Sequence, residues 1–150
     1  MIAIDTGIWI EYINTNGKLH SRAKAVIDSV NSGKATAILT PLMLTEIFYV
    51  AKRVYQEVYS SQKSETLAKK LYDFVYYHPH VEVKPLDYEL CLNTGMIKSK
   101  YNIAFSDCFL LALSKQDNTI VMFKNIESEM KDNLKNLNKD FNIKFLEDYL

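Results

Sequence analysis

The sequence predicts an α/β fold, a three-layer sandwich with a mainly parallel central sheet flanked by helices. Three observations point to it. Short apolar runs of strand length recur at residues 2–4, 35–40, 81–83 and 119–123. The stretches between them carry apolar residues at helical spacing, and that alternation is the pattern of a parallel sheet covered on both faces. The first run stops abruptly at Asp5, followed by Thr6 and Gly7. In open α/β sheets the binding sites lie outside the carboxyl ends of the strands.

Taken in order, Ile2–Ile4 suits a buried parallel strand. Residues 8–13, IWIEYI, read as a short helix that Asn14 to Gly17 breaks. Ser21 is a candidate N-cap for a helix to about Ser32, ended by Gly33. ATAILT forms the second strand. Pro41 fits the first turn of the next helix, whose apolar face is Leu42, Met43, Ile47, Val50, Ala51 and Val54. Ser60 and Ser61 open a helix to about Tyr77, stopped by Pro79. Val81–Val83 is a third strand, and Asp87 caps a helix to about Lys100. Ser106 to Gln116 is a strongly apolar helix with Ser106 as its cap. Thr119–Phe123 is the fourth strand. Glu127–Asn138 reads as one amphipathic helix, and Ile143–Leu146 as a last edge strand.

With 150 residues, the chain is expected to form one domain, 1–150, with a real core. Eighteen basic residues balance eighteen acidic ones, so an overall basic nucleic-acid coat is excluded, although a local patch is not. Only Arg22 and Arg53 are arginines, which argues against bidentate reading of bases. Cys91 and Cys108 have no zinc spacing and read as reduced thiols. Asp5 and Glu11 interrupt any signal-peptide core, and no apolar run reaches membrane length. The expectation is a soluble, cytoplasmic protein with no membrane contact.

Three carboxylates stand out by position. Asp5 ends the first strand. Glu46 lies on the helix after the second strand with Leu42, Met43, Ile47 and Val50 around it. Asp107 falls in the first turn of SDCFLLALS. Each also has a plain structural reading: Asp5 as a helix cap, Asp107 as a charge favoured at a helix amino end, Glu46 as an edge residue whose head reaches water. All three could fall on one rim of the sheet. Clustered carboxylates repel and so favour a divalent cation, and hard oxygen ligands select Mg²⁺ or Mn²⁺ over zinc.

The ordered stretches AIDTGIWIEYI, LTPLMLTEIFYV and AFSDCFLLALSKQDNTIVMF resemble the PIN-domain family, of the kind found as the toxin of VapBC-type toxin–antitoxin pairs. The resemblance implies a metal-dependent endoribonuclease with Asp5, Glu46 and Asp107 as metal-binding acids and RNA as substrate. It also implies a small antitoxin as partner. The family usually has a further acid just after the fourth strand. Here that place reads FKNIESEM: Asn125 stands where the acid is commonest, and Glu127 two residues on. Glu127 is the candidate fourth catalytic acid, with Asn125 as a neutral oxygen ligand or water-holder. Gly7 departs from the usual Ser or Thr after DT, and Thr6 keeps one hydroxyl near the site. A binding module on the same fold with little or no catalysis is the alternative.

His20, His78 and His80 do not form a metal set, and His78 and His80, at a helix end and separated by Pro79, read as exposed polar residues. No nucleophile elbow and no phosphate loop occur. Tyr49, Tyr55, Tyr59, Tyr72, Tyr76 and Tyr77 crowd the two central helices and favour an oligomer interface, read as a homodimer; stacking on bases is the other reading. Lys52, Arg53, Lys98 and Lys100 are candidates for phosphate contacts, or simply a solvated face.

Overall fold

The computed structural model describes residues 1–148. Five short strands form one sheet in the order β3-β2-β1-β4-β5, with every neighbouring pair parallel. β1 (Ile2–Ile4) is central, between β2 (Ala37–Leu39) and β4 (Ile120–Phe123). β3 (Val81–Val83) and β5 (Ile143–Phe145) are the edges. The inner strands are buried on both faces, so Ala3, Ile4, Ala37, Ile38 and Leu39 form unbroken apolar runs. The edges instead turn Glu82 and Lys144 to solvent, which blunts them against further pairing. From β1 the chain builds outward to one side through β2 and β3, then returns to add β4 and β5 on the other. The gap between the carboxyl ends of β1 and β4 is therefore the topological switch point, where a crevice opens in this kind of sheet.

The helices are α1 (Thr6–Ile13), α2 (His20–Asn31), α3 (Pro41–Tyr55), α4 (Ser61–Tyr76), α5 (Tyr88–Tyr101), α6 (Phe105–Gln116), α7 (Ser128–Lys131) and α8 (Leu134–Asp140). α6 is buried without a break from Asp107 to Ser114 because it packs directly on β1 and β4. This explains its apolar sequence. Two expected caps are present: Ser60 Oγ accepts the Lys63 N–H at 3.2 Å and Asp87 Oδ1 accepts the Leu90 N–H at 2.9 Å. Each such cap contributes about 1 kcal/mol. α5 stops at Asn102, which takes the left-handed conformation with φ 50°.

Several boundaries differ from the sequence reading. α1 starts at Thr6, two residues earlier, because Asp5 takes the extended N-cap conformation. α2 starts at His20 with Leu19, not Ser21, at the N-cap. The Leu19 N–H donates to Glu11 Oε1, a tertiary acceptor no local pattern reveals. α6 has Ala104 as its N-cap, so Ser106 lies inside the first turn. The single helix expected over 127–138 is two pieces. Asn133 breaks it by donating its side-chain amide to the Tyr101 carbonyl at 3.0 Å.

His78 and His80 are half-buried rather than exposed: His78 Nε2 lies 2.9 Å from Asn31 Oδ1, and its Nδ1 accepts the His80 N–H. Both cysteines are free, Cys108 buried and Cys91 exposed. Among the described residues no helix is long and apolar enough to cross a membrane.

Candidate active site

A cleft of about 420 Å³ opens at the carboxyl ends of β1 and β4 and is lined by Asp5, Thr6, Glu46, Asp107, Asn125 and Glu127, with Glu129 beside them. Four pieces of chain deliver these groups. β1 runs straight into Asp5. α3 presents Glu46 from its second turn, α6 presents Asp107 from its first, and the loop after β4 carries Lys124, Asn125 and Glu127. All the sequence-predicted site residues thus face one cleft. A roomier hollow of about 550 Å³ lies against α5 and α6, but its acids, Asp87 and Glu89, are solvated residues at the start of α5.

The carboxylates of the cleft are desolvated and poorly matched by cations. Asp5 stands at the N-cap position of α1, yet its side chain makes no capping hydrogen bond. Part of the residue is accessible, but protein atoms surround its carboxyl group. That enclosure raises its pKa to about 6, helped by the charges of Glu46 and Glu127 and countered by the Lys124 and Gly7 backbone N–H groups. Asp107, 8% exposed, is pushed up to about 8, first by burial and then by the charges of Asp5, Glu127, Glu46 and Glu129. Burial also raises Glu46, against a lowering by the Ser106 hydroxyl. Glu46 Oε1 and Thr6 Oγ1 are buried with no hydrogen-bond partner among the described residues. Buried polar atoms are usually paired; Trp9 Nε1, Thr40 Oγ1 and Ser64 Oγ lack partners in the same way elsewhere in the fold, so what sets the cleft apart is that its unmatched oxygens stand among carboxylates.

Glu127 is different. It is exposed, at the N-cap of α7, and makes no capping bond. Asn125 is half-buried. Among the described residues no three acidic, histidine or cysteine side chains stand close enough to form a ready-made ion cage.

Two features escaped the sequence reading. One is Glu129, which shares the rim. The other is Glu11, only 3% exposed, whose Oε2 pairs with Lys124 Nζ at 2.8 Å while Oε1 accepts the Leu19 N–H at 3.0 Å. A signal existed: Glu11 interrupts an apolar run just as Glu46 does. Gly7 also gains a reason. A Cβ there would lie 2.9 Å from Asp5 Oδ2 and 3.2 Å from Lys124 Cβ, so the Lys124 stem occupies the space a Ser or Thr would need.

The lysines expected to contact phosphates are largely engaged: Lys52 with Glu65, Lys100 with Asp140, and Lys98 with the Ile103 carbonyl. Arg53 is exposed. Of the tyrosines, Tyr49, Tyr59, Tyr76 and Tyr77 are exposed, while Tyr55 and Tyr72 are half-buried.

A central parallel sheet with an acidic crevice at its switch point defines the class, and the sequence agrees: the PIN-domain family model matches residues 2–127. The chain belongs to the PIN-domain family. Its fold is shared with solved toxin–antitoxin proteins. VapBC2 from Rickettsia felis, solved bound to a DNA fragment from its promoter, superposes with a TM-score of 0.66 at 13% identity, covering 97% of this chain and 98% of that one. VapC20 from Mycobacterium tuberculosis, a sarcin–ricin loop cleaving toxin, gives 0.65 at 13% identity, covering 89% and 95%. FitAcB from Neisseria gonorrhoeae gives 0.60 at 18% identity, covering 83% and 88%. No curated protein matches the chain significantly in sequence.

Proposed function

We propose that this PIN-domain protein is a Mg²⁺- or Mn²⁺-dependent endoribonuclease that hydrolyses RNA phosphodiester bonds, and that it works as the toxin of a toxin–antitoxin pair. The observation that carries this reading is the set of desolvated carboxylates Asp5, Glu46 and Asp107 around one cleft, none of them with a cationic partner among the described residues. Their chemistry fits a hard divalent cation: oxygen donors only, and negative charge in excess in a partly desolvated cleft. Bound there, the cation supplies Lewis-acid chemistry, lowering the pKa of water and offsetting charge on the leaving oxygen.

Asp5, Glu46 and Asp107 would hold the ion, and the Thr6 hydroxyl and the Asn125 amide oxygen offer neutral donors. Glu127, exposed on the rim, would orient a water. Asp107 must give up its proton for this work, which ties ion binding to pH. No covalent intermediate with the protein is needed. The fold shared with VapC20, a toxin that cleaves the sarcin–ricin loop, supports RNA as substrate. The fold shared with VapBC and FitAB complexes supports a small antitoxin covering the cleft. The exposed tyrosines of α3 and α4 support a homodimer, and the chain is read as one functional unit in the cytoplasm.

A gel assay on structured RNA with Mg²⁺, Mn²⁺ or chelator tests the reading: cleavage with metal and none with chelator is expected. A second reading, a binding module without catalysis, rests on Asn125 replacing the family's usual acid. It predicts RNA or protein binding with no cleavage under any metal.

A further inference from the structure

We infer that Glu11 is a positioning residue that holds the Lys124 ammonium out of the acidic cleft and so keeps Asp5, Glu46 and Asp107 free for a divalent cation. The inference rests on the metal-site reading above. Among the described residues lining the cleft, Lys124 alone is cationic. Its backbone N–H faces Asp5 Oδ2 at 3.4 Å, and its stem passes over Gly7 within the cleft wall. A lysine rooted beside a carboxylate, on a flexible four-carbon stem, is within reach of that carboxylate. The unpaired acids would attract it, and a lysine seated among them would occupy the place of the cation.

Glu11 wins this competition because it is pre-organised. Its carboxylate is buried, where an ion pair is stronger than in water. The Leu19 N–H fixes Oε1, leaving Oε2 for Lys124 Nζ. Gly17 closes the pocket so tightly that a Cβ there would overlap Glu11 Oε1. The backbone that roots Lys124 is fixed separately. The Lys124 carbonyl accepts the Glu147 N–H at 3.2 Å, and the Ile126 N–H donates to Glu147 Oε1 at 2.8 Å. Only the tip of the lysine is left to choose between Glu11 and the cleft.

The test is calorimetric titration of Mn²⁺ alone into the full chain, as wild type, Glu11→Gln, and the neutral pair Glu11→Gln with Lys124→Met. Glu11→Gln should bind Mn²⁺ at least about tenfold more weakly, in the range seen when supporting contacts of metal sites are lost. The double variant, with no lysine to release, should return to wild-type affinity. Wild-type affinity in Glu11→Gln would overturn the inference, since the freed lysine then goes to solvent. Equal weakness in both variants would also overturn it, because Glu11 would then shape the site directly. Should Glu11→Gln fail to fold, Glu11→Asp, whose shorter side chain loosens the lysine, takes its place: weaker Mn²⁺ binding that Lys124→Met restores supports the restraint, and unchanged binding, or weakness that Lys124→Met does not restore, refutes it. A wild type that binds no Mn²⁺ removes the metal reading and this inference with it. Wild-type binding with an indifferent Glu11→Gln removes the inference alone.

Discussion

Lys124 separates two groups of carboxylates that experience burial very differently. On one side Glu11 is almost completely enclosed, and both its oxygens are matched, one by an ammonium and one by a backbone N–H. On the other side Asp5, Glu46 and Asp107 are half-buried or buried without a cationic partner among the described residues, and Glu46 Oε1 has no hydrogen-bond partner among them. Burial with matching partners makes a carboxylate structural; removing one partner leaves the other stranded. Burial without a cationic partner, with only neutral donors at hand, stores repulsion that protonation or a bound cation relieves, and such groups concentrate at functional sites. Surface pairs such as Lys24–Asp28 and Lys69–Asp73 belong to neither kind, being solvated and weak.

The contrast breaks most visibly in activity. Asp5→Asn and Glu46→Gln should each depress RNA cleavage by at least about 100-fold, beyond the roughly 10–100-fold typical of losing an outer-shell partner of a metal site, while both proteins fold. A gel assay that finds wild-type cleavage in both would move the active site elsewhere. Glu127→Gln should also lower cleavage severely, whereas Asn125→Asp should leave it intact or raise it. Wild-type cleavage in Glu127→Gln together with a gain in Asn125→Asp would reduce Glu127 to a charge at the start of α7.

Stability sharpens the same contrast. Asp5 at about 6 and Asp107 at about 8 both sit above the ordinary carboxylate range of the unfolded chain. The folded, metal-free protein therefore holds protons that the unfolded chain has released, and stability falls as pH rises through that window. The loss begins near pH 4, flattens near 6 for Asp5, and continues to about 8 for Asp107. Asp107→Asn should melt above wild type at pH 8 in chelator, and its melting temperature should change little between pH 6 and 8. Each kcal/mol of relieved repulsion corresponds to about 2–4 °C in a chain of this size. Parallel melting curves against pH for the two proteins would remove Asp107 from the strained set.

The smallest expected effect is on the satisfied side. Gly17→Ala forces a methyl group against Glu11 Oε1 and should destabilise the protein by about 1–3 kcal/mol, as overpacking does. Denaturant titration measures it, and an unchanged midpoint would show that the Glu11 pocket yields easily.

Much of this was legible in the sequence. β1 and β2 are continuous apolar runs because both faces are covered, and Asp5, Glu46 and Asp107 betray themselves as charges in apolar company. What could not be read depends on distant chain. The start of α2 is decided by Glu11, the break between α7 and α8 by Asn133 reaching Tyr101, and the neutralisation of Lys52 and Lys100 by Glu65 and Asp140. The Glu11–Lys124 pair joins the first helix to the loop after the fourth strand, so no local spacing announces it. Ser106 was legible as a polar residue beside Asp107 but not as a group that lowers the pKa of Glu46 rather than capping α6.

The most direct test of the acidic cleft as a metal site is the melting temperature of wild type and Asp107→Asn at pH 8, in chelator and in millimolar Mn²⁺. A ligand that binds only the folded state raises its melting temperature. Wild type should therefore gain several degrees with Mn²⁺, while Asp107→Asn, already relieved of one repelling charge, gains little. A wild type whose melting temperature ignores millimolar Mn²⁺ would contradict the metal site outright.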